Sequence, residues 1–203
     1  MGRSLSALAA LAVLFTLLWA PIGQQAFLAE HWMKIGTFAA PMLLFMALTN
    51  RGPDAGPWLG DPKLMATLLL CSYLLHQFEE HWVDLLGRLY PLRDMLNEML
   101  AKYAGDAARG AMSGEAIFYI NTGVVWLVGF LGIWRAPDHL FPSLAMAGVM
   151  IVNAVFHVLN TVADHAYNPG LATGLILFLP LSLAYATALV RAGRVGVAVV
   201  LAG

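Results

Sequence analysis

A single cysteine, Cys71, stands among 203 residues, which excludes a disulfide framework and any Cys-based zinc motif. Charge is scarce too: Asp, Glu, Lys and Arg make up 11% of the chain, about half the share found in a soluble domain. The net charge of -1 provides no basic stripe for phosphates, and there is no helix-turn-helix or RNA-binding signature. Nucleic acid is therefore excluded as a partner. Any metal would have to be held by histidines and carboxylates.

What the sequence has in excess is apolar surface, 60% hydrophobic residues, arranged in runs near the length that crosses a bilayer. The pattern predicts an all-α, polytopic transmembrane bundle of about six spans at 4–20, 33–49, 63–86, 115–134, 140–167 and 170–190. It forms a single domain over 1–203 with no soluble part left over. The first 20 residues, with Arg3 before an apolar stretch, read as a retained span rather than a removed signal. Asp61-Pro62 has the form of a cap followed by proline at the first helical position, and Asn168-Pro169-Gly170 stops one helix and starts the next. Pro41 and Pro180 fall inside spans, where each should kink its helix. Between Gly87 and Gly114, apolar residues recur at helical spacing among Arg93, Asp94, Glu98 and Lys102. That stretch is expected as an amphipathic interfacial helix, a connector that could also cover a site as a lid. Basic residues favour a cytoplasmic N terminus only slightly.

The polar residues are not scattered. Successive spans cross in alternating directions, so Glu30 and His31 before the second span, His76 to His81 late in the third, Asn121 early in the fourth and Asn153 to His165 late in the fifth all belong to one leaflet. At about 1.5 Å per residue, His76 and His157 each lie roughly 15 Å inside their spans, close to the bilayer midplane. An unpaired charge at that depth costs at least about 2.5–3.5 kcal/mol, so Glu79 and Glu80 need partners. At 100° per residue, one helix face presents His76 with both carboxylates, and Asn153, His157, Asn160 and Asp164 form a stripe down the fifth span. His31, His81 and His165 sit near span ends beside aromatics, where an interfacial anchoring role competes with a site role. His139 belongs to a loop at the other face.

His76-Gln77-Phe78-Glu79-Glu80 resembles the motif that names the HXXEE family of small bacterial membrane proteins. Asn153 with His157, then Tyr167-Asn168-Pro169-Gly170-Leu171 and Pro180, are similar to the family's later block, so the resemblance covers roughly residues 70 to 185. It implies a membrane domain, in a bacterial inner membrane, and no particular reaction. It also adds Tyr167 to the residues of interest. The tripeptide Glu30-His31-Trp32, repeated as Glu80-His81-Trp82, keeps Glu30 and His31 among them.

The residues suit a membrane-embedded, metal-dependent enzyme. His76, Glu79, Glu80 and His157, with Asp164 and His165 as further candidates, would bind zinc or iron, since imidazole and carboxylate suit both. Glu79, Glu80 and His76 are also the candidate catalytic groups. Asn121, Asn153, Asn160, Tyr167, Glu30 and His31 would contact substrate or orient the ligands. The depth of the site implies a lipidic or apolar small molecule entering from the bilayer. Two alternatives use the same residues. One is a metal-free isomerase or cyclase of a terpenoid or sterol-like substrate, with one of the paired carboxyls acting as acid. The other is a proton or cation transporter, which the apolar character of the opposite leaflet disfavours.

Overall fold

The computed structural model describes residues 25–52, 56–136 and 138–196, and among them the regular structure is helical apart from one isolated bridge, Val83 to Leu89. The expected span at 4–20 lies outside the described residues. Helix α1 is Gln25–Thr49. Helix α2, Pro62–Gln77, is continued by a π-helical turn, Phe78–Trp82. Helix α3 is Pro91–Ala104. Helices α4 (Gly114–Arg135), α5 (Phe141–Asp164) and α6 (Leu171–Arg191) complete the bundle.

Among the described residues, four helices are long and apolar enough to cross a membrane: Ala26–Thr49 of α1, and α4, α5 and α6. Their outer faces carry large exposed apolar side chains, among them Phe38, Met42 and Phe45 on α1, Val152, Leu159 and Val162 on α5, and Ile176 and Leu183 on α6. Such a surface belongs in lipid. An integral membrane protein with transmembrane helices follows from these four helices.

Helix α2 lies at the centre, packed against α1, α4, α5 and α6. Leu64, Met65, Leu69, Leu70 and Leu74 are buried all round it, the pattern of an interior helix. Asp61 caps its start by accepting from the backbone N–H groups of Lys63 and Leu64 at 3.0 and 3.1 Å, with Pro62 in the first turn. Helix α1 runs antiparallel beside it: Arg51 pairs with Asp61 at 3.3 Å, Cys71 Sγ lies 3.3 Å from the Ala40 carbonyl, and Thr37 Oγ1 reaches the Leu74 carbonyl at 3.5 Å. At its other end α2 turns polar, with His76 to His81 still inside the bundle.

A helix is present within the 87–114 stretch, α3, with Leu92 and Ala101 buried and Asp94 and Glu98 outward. Asn97 fastens it to the following loop, donating to the Met112 carbonyl at 3.1 Å and accepting from the N–H groups of Gly110 and Met112. Pro180 does fall inside a continuous helix, and the π-helical turn Gly174–Phe178 directly precedes it. That turn accommodates the ladder bond that proline cannot donate.

Candidate metal centre

His76, Glu80 and His157 meet in the interior. One ligand atom from each can be chosen so that all lie within 4.8 Å of one another. His76 Nε2 is 3.5 Å from Glu80 Oε2, and His157 Nε2 is 3.3 Å from Glu80 Oε1. Both imidazoles are 0% exposed and their ring centroids are 5.1 Å apart. The arrangement grows out of local structure. His76 and Glu80 share a face of α2 by i, i+4 spacing, while α5 turns its buried face, Ser143, Met146, Met150, Ala154 and His157, toward them.

Each imidazole is held by its other nitrogen. His76 Nδ1 is 2.7 Å from Thr173 Oγ1, and His157 Nδ1 is 2.5 Å from Asn168 Oδ1. Asn168 in turn donates to Met95 Sδ at 2.9 Å, so α3 reaches the wall of the site. The two Nε2 atoms facing Glu80 are buried, and among the described residues neither has a partner in good hydrogen-bond geometry. Gly170, at φ +91°, closes the loop over both rings: a Cβ there would stand 2.7 Å from His157 Nε2 and from His76 Cε1.

Glu79, next in sequence, faces another way. Its carboxylate accepts from the backbone N–H groups of Ala172 at 3.1 Å and Thr173 at 2.8 Å, from Thr173 Oγ1 at 2.6 Å and from the Tyr167 hydroxyl. It therefore caps the start of α6, and its oxygens are occupied by donors rather than free for a metal.

On the far side of Glu80, His81 Nε2 lies 3.0 Å from Glu80 Oε2, and the His81 ring stands 5.0 Å from that of Trp32. Gln77 donates to Asn121 at 2.8 Å and accepts from Trp126 Nε1 at 2.8 Å, and Asn121 Nδ2 is 3.5 Å from His81 Nε2. His81 also lines a cavity of about 450 Å³ together with Trp32, Met33, Tyr90, Arg93 and Ile117. The cavity lies between the start of α1, the start of α3 and the start of α4.

The expected residues thus divide. The structure brings together His76, Glu80 and His157, with Tyr167 and Asn121 in supporting positions. It does not bring Glu79 to the same point, because the donors of the α6 start and Tyr167 claim it. Asp164 and His165 are exposed: α5 ends at Asp164, and His165 takes the left-handed conformation, φ 49°, turning the chain out of the stripe. Asn160 Nδ2 bonds the Phe156 carbonyl of its own helix at 2.7 Å, and Asn153 Oδ1 is buried without a partner among the described residues. Glu30 and His31 lie within α1, which starts well before the expected residue 33. Glu30 lines the 450 Å³ cavity, and His31 Nδ1 is 3.3 Å from Lys34 Nζ.

Three contributors escape the sequence reading, Asn168, Gly170 and Thr173, which depend on a path between α5 and α6 that periodicity does not describe. For His81 the sequence left an anchoring role competing with a site role, and the contact with Glu80 favours the site.

A family model described as a protein of unknown function with HXXEE motif matches residues 67–185. That span contains every group just described except Trp32 and the other α1 residues. Compared with curated proteins and with solved structures, the chain matches none.

Proposed function

The chain belongs to the HXXEE family, and we propose that it is an integral-membrane enzyme in which His76, Glu80 and His157 hold a zinc or iron ion and the substrate is a lipidic or apolar small molecule. One observation carries this reading: two fully buried Nε2 atoms, neither with a partner in good hydrogen-bond geometry among the described residues, face the two oxygens of one carboxylate. Buried polar atoms are normally satisfied, and a lone pair set against a carboxylate is repelled unless a cation or a proton lies between them. The engagement of both Nδ1 atoms supports a cation, because metal-bound histidines hold their second nitrogen in this way. Two imidazoles and one carboxylate suit zinc and iron and leave coordination positions for water, oxygen or substrate. A bound metal would supply a Lewis acid there, while the protein's own groups orient the imidazoles and keep bulk water out. The cavity walled by His81, Trp32 and Met33 is large enough for a small apolar molecule and adjoins Glu80 through His81.

Elemental analysis of the full chain purified in detergent tests the proposal. About one equivalent of zinc or iron is expected, lost on chelation together with turnover in a screen of lipid substrates. Full turnover by a metal-free preparation overturns it. A second reading, metal-free acid-base isomerisation or cyclisation, is favoured by the 3.0 Å contact of Glu80 with His81 on a cavity wall, a pair suited to moving a proton. That same metal-free turnover would select it.

A further inference from the structure

The motif contains two adjacent glutamates, and only Glu80 faces the imidazoles. Glu79 is nevertheless linked to the centre by a two-bond path whose hydrogen positions follow once the Thr173 hydroxyl donates along its shortest contact, 2.6 Å to Glu79 against 2.7 Å to His76 Nδ1 and 3.4 Å to the Gly170 carbonyl. Four donors converge on its carboxylate, two on each oxygen. The Thr173 hydroxyl is one of them, at 2.6 Å from Oε2. A hydroxyl has a single hydrogen. With that hydrogen directed at Glu79, Thr173 Oγ1 can only accept in its 2.7 Å contact with His76 Nδ1. Nδ1 must then carry the hydrogen of the neutral ring, which leaves Nε2, the atom facing Glu80 and His157, with a free lone pair.

We propose that Glu79 is a positioning residue which, through the Thr173 hydroxyl, fixes His76 in the Nδ1–H form and so makes its Nε2 a ligand. The two glutamates of the motif then have different tasks: Glu80 faces the bound ion and Glu79 sets the tautomer of the histidine three residues before it. As neighbours on one helical turn the two carboxylates leave the backbone in different directions, and the donors at the start of α6 hold Glu79 on its own side. Tyr167 and the N–H groups of Ala172 and Thr173 hold Glu79 in place, so the start of α6 and the centre are built as one unit. The role of the tautomer rests on the reading of His76 as a ligand, whereas the tautomer itself can be measured without any metal.

The test uses the full chain in detergent, labelled with 15N in the histidine rings. Imidazole NMR of the chelated protein reads the tautomer of His76, and competition with a chromophoric chelator reads cobalt and zinc affinity. Thr173→Val removes the hydroxyl and keeps the backbone N–H that Glu79 caps. It is expected to move His76 toward the Nε2–H form and to weaken metal binding about 10–100-fold. Thr173→Ser, which keeps the hydroxyl, should restore both readouts. Glu79→Ala should shift the tautomer in the same direction as Thr173→Val. A purely structural cap predicts no change in either readout for Thr173→Val, and that result overturns the proposal, as does an Nε2–H ring at His76 in the native protein. If the native protein binds neither metal while its tautomers respond as described, the positioning role stands and the metal reading falls.

Discussion

The backbone of Gly170 lies so close to His157 that a Cβ added there would stand 2.7 Å from its Nε2. At φ +91° the position also disfavours any L side chain. Gly170→Ala should therefore cost about 1–2 kcal/mol in backbone conformation and also push the imidazoles apart. The expected outcome is lower thermal stability in detergent together with loss of bound metal. Metal content at the native level, with only the stability reduced, would show that the loop does not shape the site.

Tyr167 tests the other end of the Glu79 network. Burial first, and then the neighbouring Glu79 carboxylate, raises its hydroxyl above the ordinary tyrosine range. A raised folded-state value means that the stabilisation is complete below the unfolded value, about 10, and is lost only as the pH rises through the higher folded value. Tyr167→Phe should thus cost about 1 kcal/mol, by the same amount at pH 6 as at pH 8, in chemical unfolding followed by circular dichroism. A cost confined to one end of that interval would contradict the assignment of Tyr167 as a constant donor.

The runs of apolar residues mark α1, α2, α4, α5 and α6, because hydrophobic length and the Asp61-Pro62 and Asn168-Pro169-Gly170 signals are local properties. His76 and Glu80 are legible for the same reason, as i and i+4 on one helix, and span parity brings His157 to their level. The fate of Glu79 is not legible. A uniform 100° step sets it beside His76, whereas its actual direction depends on donors from Tyr167, Ala172 and Thr173, some 90 residues away in sequence. Asp164 continues the stripe on paper, but α5 ends with it, because His165 takes the left-handed conformation. His81 looks like an interfacial anchor beside Trp82 until Glu80 is seen to bond it.

Exposed histidines and the end of α5 provide controls. Asp164→Ala, His165→Ala and His139→Ala all alter exposed side chains with no contact to the three proposed ligands. Each should keep the native metal content and change stability by no more than about 0.5 kcal/mol. Loss of metal in Asp164→Ala or His165→Ala would mean that the ligand set extends beyond His76, Glu80 and His157.

Separating the ligands from their neighbour His81 is the most discriminating measurement. His76 and His157 present Nε2 atoms with no partner in good hydrogen-bond geometry among the described residues, whereas the His81 Nε2 already has Glu80 at 3.0 Å and lies between the centre and the cavity. The double substitution His76→Ala, His157→Ala should abolish metal binding. The protein should remain monodisperse in detergent, since the apolar faces of α1, α4, α5 and α6 do not depend on the site for insertion. His81→Phe keeps the ring packing against Trp32 but removes the bond to Glu80, and it should retain the native metal content while altering whatever reaction is found at the cavity. Equal loss of metal in His81→Phe would make His81 a fourth ligand and close the coordination shell on the cavity side, which is the arrangement of a structural site rather than a catalytic one.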